Sequence, residues 1–407
     1  MAEESVSRPP WGRVPFDREN RSRWSRVPFP YEEYQARWNR LAVRLREAGL
    51  DALVVYGTTG EAAAIRYLTN FDSALGHSIA IVTAKGECVL LTNGLFRSEP
   101  MHSQIWLSPV PDVRPAAHER LRSALPPLSE AALQALSDYS ADRRIGLAGA
   151  PPYAVHHKFR QRFGDAGLVD FTPVLNDVMS VKSECEIALI RRALSVSDRA
   201  YERVRSMMRP GLSELDYAGA VFEEIGRGGA EGLSFPLSLV GGPRSGHKQV
   251  GPIDYRLEDG DFLFMDLGIF FEGYATDNSR GGVVGRMPED KRLFLQAGED
   301  MTMACIAAAG PGVPQQRLDD AAFAVARDYG FVDDYYFRAH GIGTAPFMAP
   351  RFMPNDETPM RPGEVFVVEP MLIREGFGTA CDEFTVLITE NGTEVLSTAG
   401  ERWWDRR

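Results

Sequence analysis

Asp266 and Asp277 lie eleven positions apart in the stretch DFLFMDLGIFFEGYATDNSRGGVVG, residues 261–285. The apolar run from Phe262 to Phe270 reads as a buried strand, a turn follows at Glu272-Gly273, and Tyr274 opens a second strand. A lone anion in such surroundings costs several kcal/mol or becomes protonated, so two of them on adjacent strands ask for a shared cation. The same two residues would also serve as turn caps at strand ends. This stretch alone leaves both readings open.

Three further segments carry matching chemistry: Arg338-Ala-His340-Gly-Ile-Gly343, Glu364-Val-Phe-Val-Val-Glu369-Pro370 and Asp382-Glu383-Phe-Thr-Val-Leu-Ile-Thr389. Each places one potential ligand in, or at the end of, a β-rich apolar run. The set becomes Asp266, Asp277, His340, Glu369 and Glu383, four carboxylates and one imidazole. Four negative charges balance two divalent ions and leave a bridging hydroxide as the reactive species.

The elements that must position these groups fall into two blocks. In the first, Tyr34, Trp38, Leu41 and Leu45 recur at helical spacing up to Gly49, and Ala52–Tyr56 reads as a buried strand. Ile79–Val82 and Cys88–Leu91 flank an Ala-Lys-Gly-Glu turn as a hairpin, a helical stretch runs from Leu128 to Ser137, and Ile145–Ala148 is another strand. In the second block Ser183 and Glu186 form a capping box for a long amphipathic helix ended by Pro210-Gly211. The segment Arg209-Pro-Gly-Leu212 through Gly229 then aligns with Gly310-Pro-Gly-Val313 through Gly330 at an offset of 101. Two helix-plus-strand halves of similar size predict an internally duplicated domain, a curved antiparallel sheet backed by helices. Asp266 and Asp277 come from the first half, and His340, Glu369 and Glu383 from the second.

Composition fits this picture. The chain has 407 residues, 44% hydrophobic and 25% charged, with a net charge of −11. That is enough chain for two cores. No basic stripe points to nucleic acid, and no apolar run approaches the roughly 18 to 20 residues of a membrane span. Cys88, Cys185, Cys305 and Cys381 lack Cys-x-x-Cys spacing, so reduced thiols and a cytoplasmic setting are expected. Residues 1–30 repeat Trp11-x-Arg-Val-Pro-Phe16 as Trp24-x-Arg-Val-Pro-Phe29 and read as an extended arm docked on the body or on a neighbouring subunit.

The motifs Asp266-Leu-Gly268, Gly273-Tyr-x-x-Asp277, His340-Gly-Ile-Gly343, Glu369-Pro370 and Glu383 followed by a strand and Thr389-Glu-Asn-Gly392 occur in an informative order. Together they resemble the creatinase/aminopeptidase P/methionine aminopeptidase superfamily, from about Tyr31 to about Leu396. The resemblance implies an α+β chain. A smaller creatinase-like α/β domain would span residues 31–175, and a C-terminal "pita-bread" catalytic domain residues 176–407. It implies that Asp266, Asp277, His340, Glu369 and Glu383 hold two divalent ions, Asp277 and Glu383 bridging. The oxygen-rich donor set favours manganese, iron or cobalt and leaves zinc open.

The chain departs from the superfamily's proline peptidases at three points. A second histidine usual seven positions after the first is Phe347, an arginine usual two positions before the last glutamate is Cys381, and an upstream histidine falls on Gln249, with His247 nearby. Phenylalanine cannot donate to an oxyanion, a loss worth about 10² to 10³ in rate. The loop Gly241-Gly-Pro-Arg244-Ser-Gly-His247-Lys248 offers cations for an anionic part of the substrate, or forms a solvated basic turn. His247 is the best remaining general acid. His77 is a further substrate-contact candidate, because the family's N-terminal domain can reach a neighbouring subunit's site, whereas His102, His118, His156 and His157 lack ligand spacing.

The expected function is a dinuclear-metal hydrolase cleaving a C–N bond of a small amide, amidine or short peptide. Glu369 would carry the proton, and Arg244, Phe347 and His77 would contact the substrate. Xaa-Pro aminopeptidase or dipeptidase activity, a metal-dependent lyase acting on a small carboxylate, and a non-catalytic binding module stand as alternatives. The partners expected are the small substrate and a second copy of the chain in a homodimer, without nucleic acid or membrane.

Overall fold

The computed structural model describes residues 28–72, 76–92, 108–119, 125–141, 143–247, 250–397 and Trp403. Of the arm at residues 1–30 only the last three positions fall among them, and Lys248 and Gln249 also lie outside. The chain separates into two compact units, Met1–Val178 and Met179–Arg407.

The N-terminal unit is a six-stranded sheet with helices. Its strands are β1 (Ala52–Thr58), β2 (His77–Thr83), β3 (Cys88–Thr92), β4 (Asp112–Pro115), β5 (Ile145–Ala148) and β6 (Leu168–Asp170), in the order β4-β3-β2-β1-β5-β6. The β2–β3 hairpin is antiparallel and β1 runs parallel to β5, so local turns and crossover helices are both used. The helices are α1 (Tyr31–Glu47), α2 (Ala63–Thr69), α3 (Leu128–Asp138), α4 (Tyr153–Gly167) and α5 (Thr172–Ser180), and the division between the units falls inside α5. Tyr34, Trp38, Leu41 and Leu45 are all buried on one face of α1, as their spacing predicts, and the Trp38 indole donates to Leu68 O at 2.9 Å.

The C-terminal unit repeats one plan twice. Helix α6 (Glu184–Met207) begins at Ser183, whose hydroxyl accepts from Glu186 N while the Glu186 carboxylate accepts from Ser183 N. Helix α7 (Glu214–Arg227) has an equivalent box from Ser213 and Asp216. In the second half α8 (Glu289–Ala308) and α9 (Gln316–Tyr329) take the same places in chain order. Gly211 and Gly312, equivalent in the repeat, adopt φ of +92° and +80°, a conformation that strains any other residue after the helix break.

Short strands β7 (Gly232–Leu233) and β8 (Ser238–Gly241) follow α7, and then come β9 (Phe262–Leu267), β10 (Ile269–Phe271), β11 (Tyr274–Ala275) and β12 (Asn278–Val283). One sheet orders β12-β9-β8 and another β11-β10-β7. The run Phe262 to Phe270 is therefore two strands rather than the single one expected. Gly268 breaks it: a side chain there would meet Ser234 Oγ and Phe235 at 2.2 Å, so the chain changes sheet where only glycine fits. The second half gives β13 (Tyr335–Gly341), β14 (Met348–Arg351), β15 (Val365–Arg374), β16 (Gly378–Ala380), β17 (Phe384–Thr389) and β18 (Gly392–Val395), ordered β14-β13-β15-β17-β18 with β16 on β15.

Two apolar cores back the sheets. Tyr201, Val204, Tyr217, Leu263, Met265, Leu267 and Trp403 fill the first. Phe262, Phe294, Met301, Leu318, Phe366, Val368 and Leu372 fill the second. Helices thus cover one face of each sheet and leave the other face for polar chemistry.

Candidate metal centre

The five sequence candidates sit in or beside the strands of the C-terminal unit, all deeply buried. Asp266, Asp277, His340, Glu369 and Glu383 are 5%, 4%, 2%, 2% and 0% exposed. Asp266 is in β9 and lies across from Ser238 on one side and Ser279 on the other. Asp277 directly precedes β12, and Glu383 directly precedes β17. The two halves are stitched here: Glu383 N donates to Ser279 O at 3.0 Å, and the Thr385 hydroxyl lies 3.4 Å from Asp277 O. His340 is in β13, where Gly341 lets β14 close in, since a Cβ there would meet Ala349 O at 2.1 Å. Glu369 is in β15, opposite Arg338.

Asp277, His340 and Glu383 offer ligand atoms that all lie within 4.8 Å of one another. Asp266 and Glu369 fall outside that mutual limit. The donor set fits a divalent cation on chemical grounds. His340 Nδ1 lies 3.3 Å from Gly341 O, a contact satisfied by the tautomer with the proton on Nδ1. Its Nε2 then presents a lone pair to Asp277 Oδ2 at 3.6 Å. Two facing acceptors repel unless a proton or a cation lies between them.

Residues beyond the sequence candidates hold this arrangement. Tyr201 on α6 accepts from Leu267 N at 3.1 Å and donates to Asn278 O, tying the strand of Asp266 to that of Asp277. Burial first, then Asp266, raises the Tyr201 pKa well above 10, with Glu383 adding to the effect and Arg280 opposing it. Arg280, buried, donates to Glu383 O at 2.5 Å and to Ser279 O at 2.7 Å. Neither was evident from sequence, because a tyrosine on an amphipathic helix and an arginine inside a strand have no distinctive local signal. Phe347 does reach the centre. Its ring stacks on His340 with centroids 3.8 Å apart, and it is 42% exposed. Cys381 is buried and accepts from the Ser279 hydroxyl at 3.0 Å.

The remaining candidates are placed otherwise. The Arg244 guanidinium pairs with Glu214, a fully buried carboxylate that also accepts from Gly241 N and Ile253 N at 2.8 Å. Its cation is engaged by α7, where the sequence offered it to substrate. His247 is exposed at the end of a short 3₁₀ turn, and the chain leaves β8 for that turn at Gly241, opposite Leu263 rather than Asp266. His77, at the start of β2, is hydrogen-bonded by Tyr56 and packs 4.7 Å from the His118 ring. The four cysteines are free thiols, and among the described residues no helix is long and apolar enough to cross a membrane.

The sequence model of metallopeptidase family M24 matches residues 188–390, and that of the creatinase/prolidase N-terminal domain matches residues 37–179. The chain belongs to the creatinase/M24 superfamily, and it is a metal-dependent hydrolase of that class with the superfamily's α+β pita-bread architecture. An Xaa-Pro dipeptidase of Pyrococcus furiosus is 29% identical over 255 residues, 62% of this chain and 73% of the relative. A probable dipeptidase PepE of Mycobacterium tuberculosis is 30% identical over 223 residues, 54% of this chain and 59% of the relative. The solved prolidase from Pyrococcus furiosus superposes with a TM-score of 0.74 at 25% identity, covering 89% of this chain and all of that one, 100%. The X-Pro aminopeptidase from Thermotoga maritima gives 0.78 at 22% identity over 90% of this chain and 99% of its own.

Proposed function

We propose that the chain hydrolyses the C–N bond of a short peptide, with an Xaa-Pro dipeptide as the first substrate to try. In this reading Asp266, Asp277, His340, Glu369 and Glu383 hold two divalent ions, and residues 31–175 and 176–407 form the N-terminal and catalytic domains. The observation that carries it is the buried cluster of Asp277, His340 and Glu383, with ligand atoms within 4.8 Å of one another. The relatives named as Xaa-Pro dipeptidases supply the substrate class.

When bound, the ions supply Lewis acidity to the scissile carbonyl and lower the pKa of a water for attack. The chain's own groups do the rest. Glu369 would take up a proton from the attacking water and return it to the leaving nitrogen, with the Arg338 guanidinium 3.4 Å from its carboxylate. Tyr201 and Arg280 keep β9, β12 and Glu383 in register. Phe347, stacked on His340, forms an apolar wall beside the cluster. His247 and His77 have a role at the substrate only if a loop or a second copy of the chain brings them to it. A homodimer in the cytoplasm is the setting in which that contact would arise.

The Phe347 wall favours a second reading, a small amide or amidine other than a proline peptide, since an aromatic ring stands where the proline peptidases keep a donor. The test of both is metal content per chain on protein purified without a chelating tag, followed by hydrolysis of Xaa-Pro dipeptides and of small amides. Close to two transition-metal ions and Xaa-Pro cleavage are expected. Two ions with amide cleavage alone selects the second reading, and a protein that takes up no metal sinks both.

A further inference from the structure

The two copies of the repeat near the N-terminus agree at five of six positions, Trp11-Gly-Arg13-Val14-Pro15-Phe16 against Trp24-Ser-Arg26-Val27-Pro28-Phe29. The last two residues of the second copy are among those described, and they end in a pocket. Phe29 is only 5% exposed. Its ring packs on Tyr34 with centroids 5.9 Å apart, and the Arg37 guanidinium lies 4.8 Å from its centre. A proline on either side, Pro28 and Pro30, restricts the backbone to an extended path as it delivers the ring.

The walls of the pocket are fixed independently of that ring. Arg37 is buried, and it donates from Nε to Glu33 at 2.8 Å and from Nη1 to Tyr67 O at 2.7 Å, so its guanidinium is held from within α1 and from α2. It lies 5.1 Å from the centre of the Tyr34 ring and 4.4 Å from that of Tyr67, both buried. The bond from the Trp38 indole to Leu68 O ties the same two helices together. A cation held among aromatic faces has room for one more ring, and a site formed in advance takes it at little reorganisation cost. The first copy brings the same group in the same way: Pro15 precedes Phe16 as Pro28 precedes Phe29.

We propose that this pocket of α1 and α2 is a peptide-docking site with two ligands in its own chain: Phe29 fills it in this structure, and Phe16 fills it when Phe29 leaves. Its ligand class is an extended segment with an aromatic residue directly after proline. Trp11 to Phe16 lie outside the described residues, and the place given to Phe16 rests on the repeat. The Phe29 register dominates, because Pro30 leads straight into α1, whereas seating Phe16 loops out the thirteen residues from Asp17 to Phe29. Loop-closure entropy grows slowly with length, so the second register stays within reach. Tethering also gives Phe16 a high effective concentration at the pocket, which favours it over the arm of another molecule.

The experiment is a displacement test on the full-length protein. A fluorescently labelled peptide of residues 11–16 is titrated by anisotropy with the parent, Phe16→Ala, Phe29→Ala and the double variant. The double variant should bind it at least about tenfold more tightly than the parent, because no ring of the chain then competes and apparent affinity scales with the fraction of open pocket. Phe16→Ala should match the parent. Phe29→Ala should lie much nearer to the parent than to the double variant, since Phe16 takes over. A peptide with alanine in place of its phenylalanine should lose the tighter binding.

Equal binding by Phe29→Ala and the double variant leaves Phe16 no part in the pocket and overturns the proposal. A double variant that binds the peptide no better than the parent overturns it as well. Protection of Phe29→Ala that grows with protein concentration places Phe16 in another molecule's pocket and overturns the intrachain docking. If the double variant does not fold, a photo-crosslinking phenylalanine analogue at position 16 of the Phe29→Ala chain decides. A crosslink to Tyr34 or Tyr67 of the same chain supports the proposal, and a crosslink elsewhere, or none, overturns it.

Discussion

Two clusters of titratable side chains, one in each unit, solve opposite problems. In the N-terminal unit His77, His118, Tyr56 and Glu119 gather around β1 and β2. Glu119 accepts from Ser129 N at 2.6 Å and from the Ser129 hydroxyl at 2.9 Å, with the Lys158 ammonium 3.9 Å away. The Tyr56 hydroxyl and His77 Nδ1 share a hydrogen bond. Each charge there has a partner of matching kind, and burial with Glu119 pushes the Tyr56 phenol up to about 12, keeping it neutral. In the C-terminal unit two buried carboxylates, Asp277 and Glu383, converge on one imidazole, and Asp277 Oδ2 faces His340 Nε2 at 3.6 Å. A polar network that closes on itself is scaffolding. One that converges acceptors on a point is built for a cation.

The sharpest way to break this contrast is Asp277→Ala. It should remove most of the bound metal and lower hydrolysis by at least about 100-fold, since even outer-shell partners of a metal are worth roughly 10–100-fold. His77→Gln should leave the metal content unchanged, and metal counting on both variants checks the pair. If both lose metal, or neither does, the two clusters are not different in the way described.

Next in size is Tyr201→Phe. It leaves Leu267 N and Asn278 O without their shared hydroxyl in a fully buried place, at a cost of about 1–3 kcal/mol. Denaturant unfolding should show this as an earlier midpoint, with metal affinity falling in the same variant. An unchanged midpoint would mean that Tyr201 is packing alone.

The smallest effect belongs to the first cluster and concerns pH. His77 is held below the ordinary imidazole value of 6.5, chiefly by burial and then by the neighbouring His118, against the pull of Glu119. The unfolded chain therefore binds the proton first. Stability from keeping His77 neutral is complete above the unfolded value and is lost as pH falls through the lowered one. The melting temperature should decline through this acid range, and His77→Gln should flatten the decline. An identical slope in the variant would assign it to other groups.

Much of the architecture could be read before any coordinates. The capping box at Ser183 and Glu186 and the buried face of α1 follow from local patterns, and the duplication follows from an offset of 101 between matching Pro-Gly breaks. The break at Gly268 was missed, because an unbroken apolar run carries no mark of a change of sheet. The engagement of Arg244 was missed as well, since its partner Glu214 lies thirty positions upstream on α7.

The sequence by itself determined which groups were available: five ligand-type side chains set in strand-forming runs, and a phenylalanine seven positions after the histidine. Tertiary structure decided which of them meet. Asp277, His340 and Glu383 converge because β13 and β17 both pair with β15 in one sheet, and the bond from Glu383 N to Ser279 O ties β12 of the other sheet to them. Phe347 covers His340, and Arg338 stands at the rim, through the register of β13 against β14 and β15. Residue type and short-range periodicity are local properties, whereas the register of long-range strand pairs depends on the whole packed core.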